Sequence, residues 1–271
     1  MRRLVLRLLW LGRFIDLTIS HPWARGRRMK LNLFRHKGYW FHGRAREAST
    51  MALFEKLLRP GMVAFDVGAH VGWITVWLAQ LVGPAGRVVA FEPGLNNLPY
   101  LRRNLATLPQ ATLVESAVGA ADGQATLFEE SLTGQNNALG APYHRLAANA
   151  AQTVAVAEIT ERRVTLLALD SFAARENLAP DLVKLDVEGH ELAVLQGMAR
   201  LLHEAPPMLL LEVTQHHAAI HALLVRAGYR LFAVHAGAPV PIAAPGDMRF
   251  NTLALHPSRH HAALGAIGHP V

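Results

Sequence analysis

The chain has no cysteine. That excludes disulfides and any thiolate nucleophile or thiolate metal site, and it is compatible with a cytoplasmic setting. No Gly-x-Gly-x-x-Gly run occurs, so the dinucleotide fingerprint of nicotinamide enzymes is missing. Acids are scarce at the start: residues 1–46 hold 12 Lys and Arg against one acid, Asp16. The remainder holds 15 against 19, so the net charge of +7 conceals an arm of +11 and a body of −4. A basic arm suits an anionic membrane surface, nucleic acid or plain solubility. Membrane-spanning length is not reached, since Arg7, Arg13 and Asp16 interrupt the apolar stretch at 3–20. Arg7 also breaks up a signal-peptide core, and no small-x-small cleavage site follows. What remains for 3–20 is an amphipathic helix with Leu4, Leu8, Leu11 and Ile15 on one face. It would dock on its own domain or lie on a membrane surface, helped by Arg25, Arg27, Arg28 and Lys30.

What is present is organised around residues 63–93, VAFDVGAHVGWITVWLAQLVGPAGRVVAFEP. An apolar run ends in Asp66; a loop with Gly68 and Gly72 follows, then an apolar helix, a Gly-Pro-Ala-Gly break and a second apolar run ending in Glu92. Such a strand–loop–helix–strand unit builds a nucleotide crevice at the carboxyl ends of parallel strands. Asp-x-Gly-x-x-x-Gly, with an acid at the tip of the next strand, resembles the cofactor site of class I S-adenosylmethionine methyltransferases. Gly68 gives the backbone freedom to approach a ligand, with Ala69 and His70 beside it, and the helix after Gly72 offers free N–H groups to a carboxylate. Asp66 can meet the methionine ammonium directly or through water, and Glu92 can accept from both ribose hydroxyls. A solvated strand end beside a tight turn would explain either acid alone. It explains both acids with both glycines poorly.

Half of the residues are hydrophobic, and the 271 residues suit one α/β domain with an extension. We expect a basic, partly amphipathic arm over 1–42, a catalytic domain over 43–258 and a tail over 259–271. A helix begins near Glu47 and stops at Pro60-Gly61; another spans 98–108. A third strand covers 111–118, and after the turn at 121–123 residues 125–128 pair back on it as a hairpin. Residues 130–152 form a long loop of the kind that serves as a lid, with Asn136 and Asn137 as turn formers. Strands follow at 163–169, 182–187 and 208–212, with helices at 191–198 and 216–226. The stretches 229–234 and 251–255 form an antiparallel pair. The alternation argues for a mostly parallel sheet with helices on both faces.

A second constellation occupies residues 183–197, VKLDVEGHELAVLQG. Asp186, Glu188, His190 and Glu191 crowd one strand-to-helix turn, where an α/β sheet carries its chemistry. Helix capping would explain Glu188 or Glu191 singly. It does not explain the cluster.

The segments GMVAFDVGAHVGW, VVAFEP, AVGAADGQATLF and LVKLDVEGHELAVLQG together resemble the FkbM family of S-adenosylmethionine-dependent methyltransferases. The resemblance runs from about residue 43 to 255, and the Asp-Val-Glu-Gly-His-Glu run is its most specific part. It implies a class I methyltransferase (Rossmann-like) seven-stranded sheet and, typically, O-methylation of a hydroxyl on a sugar, glycan or secondary metabolite. Gly68 and Gly72 fall on the family's loop glycines, Asp66 and Glu92 on its two cofactor acids, and Glu47 near a glutamate that precedes the domain. His70 stands where the family usually has asparagine.

Methyl transfer from a sulfonium is an in-line displacement, so positioning supplies much of the rate. A hydroxyl acceptor also needs a base. Asp186 or His190 would serve, with Glu188 and Glu191 orienting the acceptor. His190 has the better intrinsic pKa and Asp186 the place nearer the strand tip. A metal held by Asp186, Glu188 and Glu212 is the lesser reading, one that activity surviving EDTA would dismiss. His216, His217, His221, His256, His260 and His261 show no metalloprotease spacing and read as surface residues. A nucleic-acid methyltransferase is disfavoured. The Asn/Asp-Pro-Pro-aromatic motif is absent after the fourth strand, Ala205-Pro206-Pro207-Met208 being misplaced, and an acidic body repels phosphate. The expected partners are therefore S-adenosylmethionine and a small-molecule or glycan hydroxyl, with peripheral membrane contact through the arm and no nucleic acid.

Overall fold

A computed structural model of the chain describes residues 9–140, 158–235 and 239–269. Within them the chain opens on a hairpin, β1 (Asp16–Ser20) antiparallel to β2 (Arg28–Asn32). This corrects the helix expected over 3–20 at its carboxyl end. Among the described residues of that stretch only 9–11 are helical, and Leu11 (72% exposed) and Ile15 (52%) face solvent; Leu4 and Leu8 lie outside the described residues. The winning signal is the two-residue beat of β2, which sends Met29 and Leu31 into the core beside Phe54, Leu78 and Leu101. His21 fastens the turn: Nε2–H donates to the Trp73 carbonyl (3.0 Å), while Nδ1 accepts from the Ala24 N–H (2.9 Å). Burial holds that imidazole down to about 4, hence neutral. Asn104 locks β2 to the glycine loop, accepting from Lys30 N–H at 2.7 Å and donating to the Val71 carbonyl at 2.7 Å.

The elements that follow are α1 (Lys37–His42), α2 (Ala48–Leu57), β3 (Val63–Val67), α3 (Trp73–Val82), β4 (Arg87–Phe91), α4 (Leu98–Leu105) and β5 (Ala111–Val114). Then come β6 (Ala117–Val118), β7 (Gly123–Glu130), β8 (Ala138–Leu139), β9 (Ile159–Leu167), α5 (Leu169–Glu176), β10 (Leu182–Leu185), α6 (Glu191–Gln196), α7 (Ala199–Glu204), β11 (Met208–Glu212) and α8 (His217–Arg226). The chain ends on β12 (Arg230–Ala233), β13 (Val240–Pro241), β14 (Asn251–Leu255) and α9 (His261–Ala266). The main sheet runs β13-β12-β14-β11-β10-β3-β4-β5. Strands β5, β4, β3, β10 and β11 pair in parallel, and β14 enters antiparallel between β11 and β12. Seven strands thus make the expected class I arrangement, and the two-residue β13 adds an edge. Both faces are covered: Ala64, Val88 and Ala90 point into one core, and Phe65, Val67, Val89 and Phe91 into the other. That is why these strands read as unbroken apolar runs.

The expected hairpin after the third strand does not form. The chain leaves the main sheet after Val114, and β7 pairs antiparallel with β9 along its whole length, from Gly123↔Leu166 to Glu130↔Ile159, with β8 on its other edge. The nine-residue β9 offers a longer ladder than a short return onto β5 could. Of the expected lid at 130–152, residues 141–152 lie outside the described residues. Asp170, directly after the strand expected at 163–169, sits in the first turn of α5 and caps α7, accepting from the Arg200 and Leu201 N–H groups at 2.7 and 2.9 Å. His260, expected at the surface, is buried; its Nδ1 accepts from the His256 N–H at 2.8 Å. Among the described residues no helix is long and apolar enough to cross a membrane.

Candidate active site

The carboxyl ends of β3, β4, β10 and β11 open onto one cavity of about 990 Å³, part of it exposed to solvent. At the tip of β3 the backbone turns through Gly68 (φ 81°) and His70 (φ 51°) to Gly72 (φ 85°). Gly68 is required for a reason the sequence does not show: a Cβ there would run into the Asp186 carbonyl oxygen. Its own carbonyl accepts from Lys184 Nζ at 2.9 Å. Gly68→Ala is expected to destabilise the fold by on the order of 3 kcal/mol, from left-handed strain plus overpacking. Gly123→Ala, with nothing within 4 Å of the added carbon, is expected to change little. Urea melts of the two variants check this.

His70 tolerates the left-handed conformation that asparagine also favours. Its N–H donates to Glu92 Oε2 (2.9 Å), Nε2–H donates to the Thr133 carbonyl (3.1 Å) and Nδ1 accepts from the Tyr39 hydroxyl (2.9 Å). Burial depresses the imidazole to about 3, so it stays neutral and serves as a spacer. Ala69 N–H and Gly68 N–H both donate to the Phe91 carbonyl at 3.0 Å, which ties the loop to β4. Glu92 lines the cavity at the β4 tip, only 4% exposed. Its Oε1 accepts from Gly94 N–H at 2.9 Å and Asn97 Nδ2 at 3.1 Å. Burial raises its pKa, against the pull of those donors.

Asp66 is placed differently from Glu92. It is 0% exposed and lies beneath the loop, outside the cavity lining. Oδ2 accepts from Thr75 Oγ1 at 2.6 Å, and Oδ1 faces Lys184 Nζ at 3.3 Å. The sheet register explains the pair: Lys184 on β10 is directly opposite Asp66 on β3. Lys184 reaches a third partner, Asp186 Oδ2, at 3.3 Å, because residues two apart on a strand share a face. Burial alone would lower this ammonium's pKa; Asp186, Asp66, Glu47 and Glu212 outweigh it and hold the group charged.

The crowded turn after β10 divides. Asp186 and Glu188 line the cavity, whereas His190 and Glu191 do not. Glu188 takes a left-handed conformation (φ 53°). Glu191 is 1% exposed, and its Oε1 accepts the Gly189 and Val187 N–H groups at 3.0 and 3.3 Å, so it closes the turn. Burial pushes its carboxyl up to about 7. His190 packs toward Gly119, whose added Cβ would stand 3.2 Å from Nε2, and burial lowers its pKa. Glu212 also lines the cavity, and burial together with Asp186 and Glu188 raises its pKa. Among the described residues, no three His, Asp or Glu side chains are grouped to hold a metal ion.

Several lining residues were not expected at the cavity from their place in the sequence. Tyr39 and Arg46 come from the N-terminal segment, and Gly134 and Asn137 from the loop before β8. Asn137 is more than a turn former, since its Nδ2 donates to Asn96 Oδ1 at 2.9 Å and its Oδ1 accepts the Glu130 N–H at 3.0 Å. Lys184 left a readable signal: a lysine inside an apolar parallel strand, two residues before an acid. Tyr39 and Arg46 left none, because only tertiary packing brings them to the cavity.

A doubly covered sheet of this order, with a glycine loop and an acid at the adjoining strand tip, defines the class I methyltransferase type. The chain belongs to the FkbM methyltransferases, a family dependent on S-adenosylmethionine: the model for the Methyltransferase FkbM domain matches residues 66–231. Protein-L-isoaspartate O-methyltransferase of Aeropyrum pernix is 38% identical over 93 residues, 34% of this chain and 31% of that protein. The match to the same-named protein of Triticum aestivum is 44% over 45 residues, 17% of this chain and 20% of that one. The chain thus aligns with less than a third of either curated relative. Among solved structures, methyltransferase FkbM from Methylobacillus flagellatus has a TM-score of 0.45 at 17% identity, covering 76% of this chain and 50% of that one.

Proposed function

We propose that this chain transfers a methyl group from S-adenosylmethionine to a hydroxyl of a sugar, glycan or secondary metabolite, with Asp186 as the base. The observation that carries the reading is the division of the turn after β10: of the two base candidates, Asp186 lines the cavity and His190 does not. The donor set suits the cofactor. Glu92, held by three donors, still has a lone pair on Oε2 for a ribose hydroxyl. Asp186 at the far strand tip suits the ammonium end as well as the acceptor, and Gly68, Ala69 and His70 form the wall between them, whereas Gly72 faces Leu101 of α4. Asp66 supports the site from below through Lys184.

Bound S-adenosylmethionine supplies an electrophilic methyl carbon on a sulfonium. Asp186 takes the proton from the acceptor hydroxyl as the oxygen–carbon bond forms and the carbon–sulfur bond breaks, and the proton ends on its carboxylate. Lys184, 3.3 Å from Asp186 Oδ2, orients the carboxylate for this. Glu212, its pKa raised, offers a hydrogen bond to a second acceptor hydroxyl. The test is transfer of labelled methyl to a panel of sugars and glycans. Asp186→Asn is expected to lower turnover by about 10²–10⁴-fold and to weaken S-adenosylhomocysteine binding far less, by about tenfold, for the altered ammonium contact. His190→Ala is expected to keep most turnover. The reverse order would assign the base to His190, and wild-type protein that binds no S-adenosylhomocysteine would end the reading.

A further inference from the structure

The methionyl end of the cofactor brings a carboxylate into a cavity already walled by acids: Glu47, Glu92, Asp186, Glu188 and Glu212. A carboxylate among carboxylates is disfavoured by desolvation and like charge unless a cation receives it. Among the lining residues two are permanent cations, Lys184 and Arg46. Lys184 is committed within the protein: Nζ donates to Gly68 O at 2.9 Å and is ion-paired with Asp66 and Asp186 at 3.3 Å each.

Arg46 is differently placed. Its Nε is buried without a hydrogen-bond partner, the nearest acid being Glu47 Oε1 at 3.4 Å. The guanidinium lies over the Tyr39 ring at 4.1 Å, and the Tyr39 hydroxyl is anchored on His70 of the glycine loop at 2.9 Å. Gly38 makes room for it: a Cβ there would stand 2.9 Å from Nη1. An aromatic support, a glycine gap and an unspent donor describe a guanidinium held ready for a planar anion. It lines the cavity together with Asp186, the acid at the ammonium end, and the two charges act on one another.

We propose that Arg46 binds the α-carboxylate of the cofactor's methionyl group, with Tyr39 as the residue that positions it. The proposal rests on reading the cavity as the S-adenosylmethionine site. It also makes the segment ahead of the family match at 66–231 part of that site.

The experiment is calorimetric titration of the full chain with S-adenosylhomocysteine and with its decarboxylated analogue, which keeps the ammonium and lacks only the carboxylate. Wild type is expected to prefer S-adenosylhomocysteine by about 10–100-fold, the worth of a charge-assisted contact. In Arg46→Met that preference should collapse to within about threefold, while affinity for the analogue is kept, which also shows that the variant is folded. Arg46→Lys should retain part of the preference. A preference that survives in Arg46→Met, or an equal loss for both ligands, overturns the proposal. Wild type that binds neither ligand instead removes the cofactor reading on which the proposal stands.

Discussion

Replacing Glu92 with alanine is expected to weaken S-adenosylhomocysteine binding by about 10–150-fold, because a charge-assisted hydrogen bond to the ribose worth about 1.5–3 kcal/mol is lost. The protein itself also suffers. Glu92 gathers three donors, His70 N–H from the glycine loop and Gly94 N–H and Asn97 Nδ2 from the turn after β4, at 2.9, 2.9 and 3.1 Å. Alanine leaves them without their acceptor, at about 1–3 kcal/mol for each one that water cannot reach. The loop and the β4 tip should therefore loosen as binding falls. Glu92→Gln keeps one carbonyl acceptor and should sit between alanine and wild type in both respects. Calorimetry gives the affinity and a thermal melt the stability. Unchanged affinity in Glu92→Ala would take Glu92 out of the ribose contact.

Lys184→Met is expected to be the most damaging single change to stability, at about 3–5 kcal/mol, the usual effect of removing one partner from a buried ion pair. Asp66 would keep only the Thr75 hydroxyl, with no water at hand. The midpoint of thermal unfolding should fall by roughly 10 °C. Asp66→Asn in the same chain removes the stranded charge, so the double variant should be more stable than Lys184→Met alone. Turnover should not return with stability, since Asp186 has still lost its 3.3 Å contact. A melt for Lys184→Met within about 2 °C of wild type would show that the triad is not structural.

The parts of this molecule that were legible in the sequence are those written in short-range pattern. Apolar runs of four or five residues, each closed by an acid, marked β3, β4, β10 and β11, because strands covered on both faces must be apolar and their polar residues collect at the tips. The antiparallel pairing of 230–233 with 251–255 was legible for the same reason. Elsewhere a local period was overruled by a distant partner. The helix expected to run on to residue 20 gives way at Asp16 to a hairpin whose Met29 and Leu31 complete a core built by α2, α3 and α4. The strand at 123–130 found β9, some 35 residues on, and not its neighbour β5.

At the site, the residue types and their order came from the sequence alone: Asp66, two glycines, Glu92, then Asp186 through Glu191. Which of them share a space was left to the tertiary structure. Cross-strand register, invisible in one segment, set Lys184 opposite Asp66 and withdrew that acid into the sheet. A left-handed turn at Glu188 sent the residues on either side of it apart, leaving Asp186 in the cavity and burying Glu191 under the turn. Tyr39 and Arg46 reach the cavity only because the N-terminal segment folds back over the glycine loop. Pattern along a chain determines what each strand is and where its polar ends fall. Which side chains meet is determined by packing between segments that the chain itself keeps far apart.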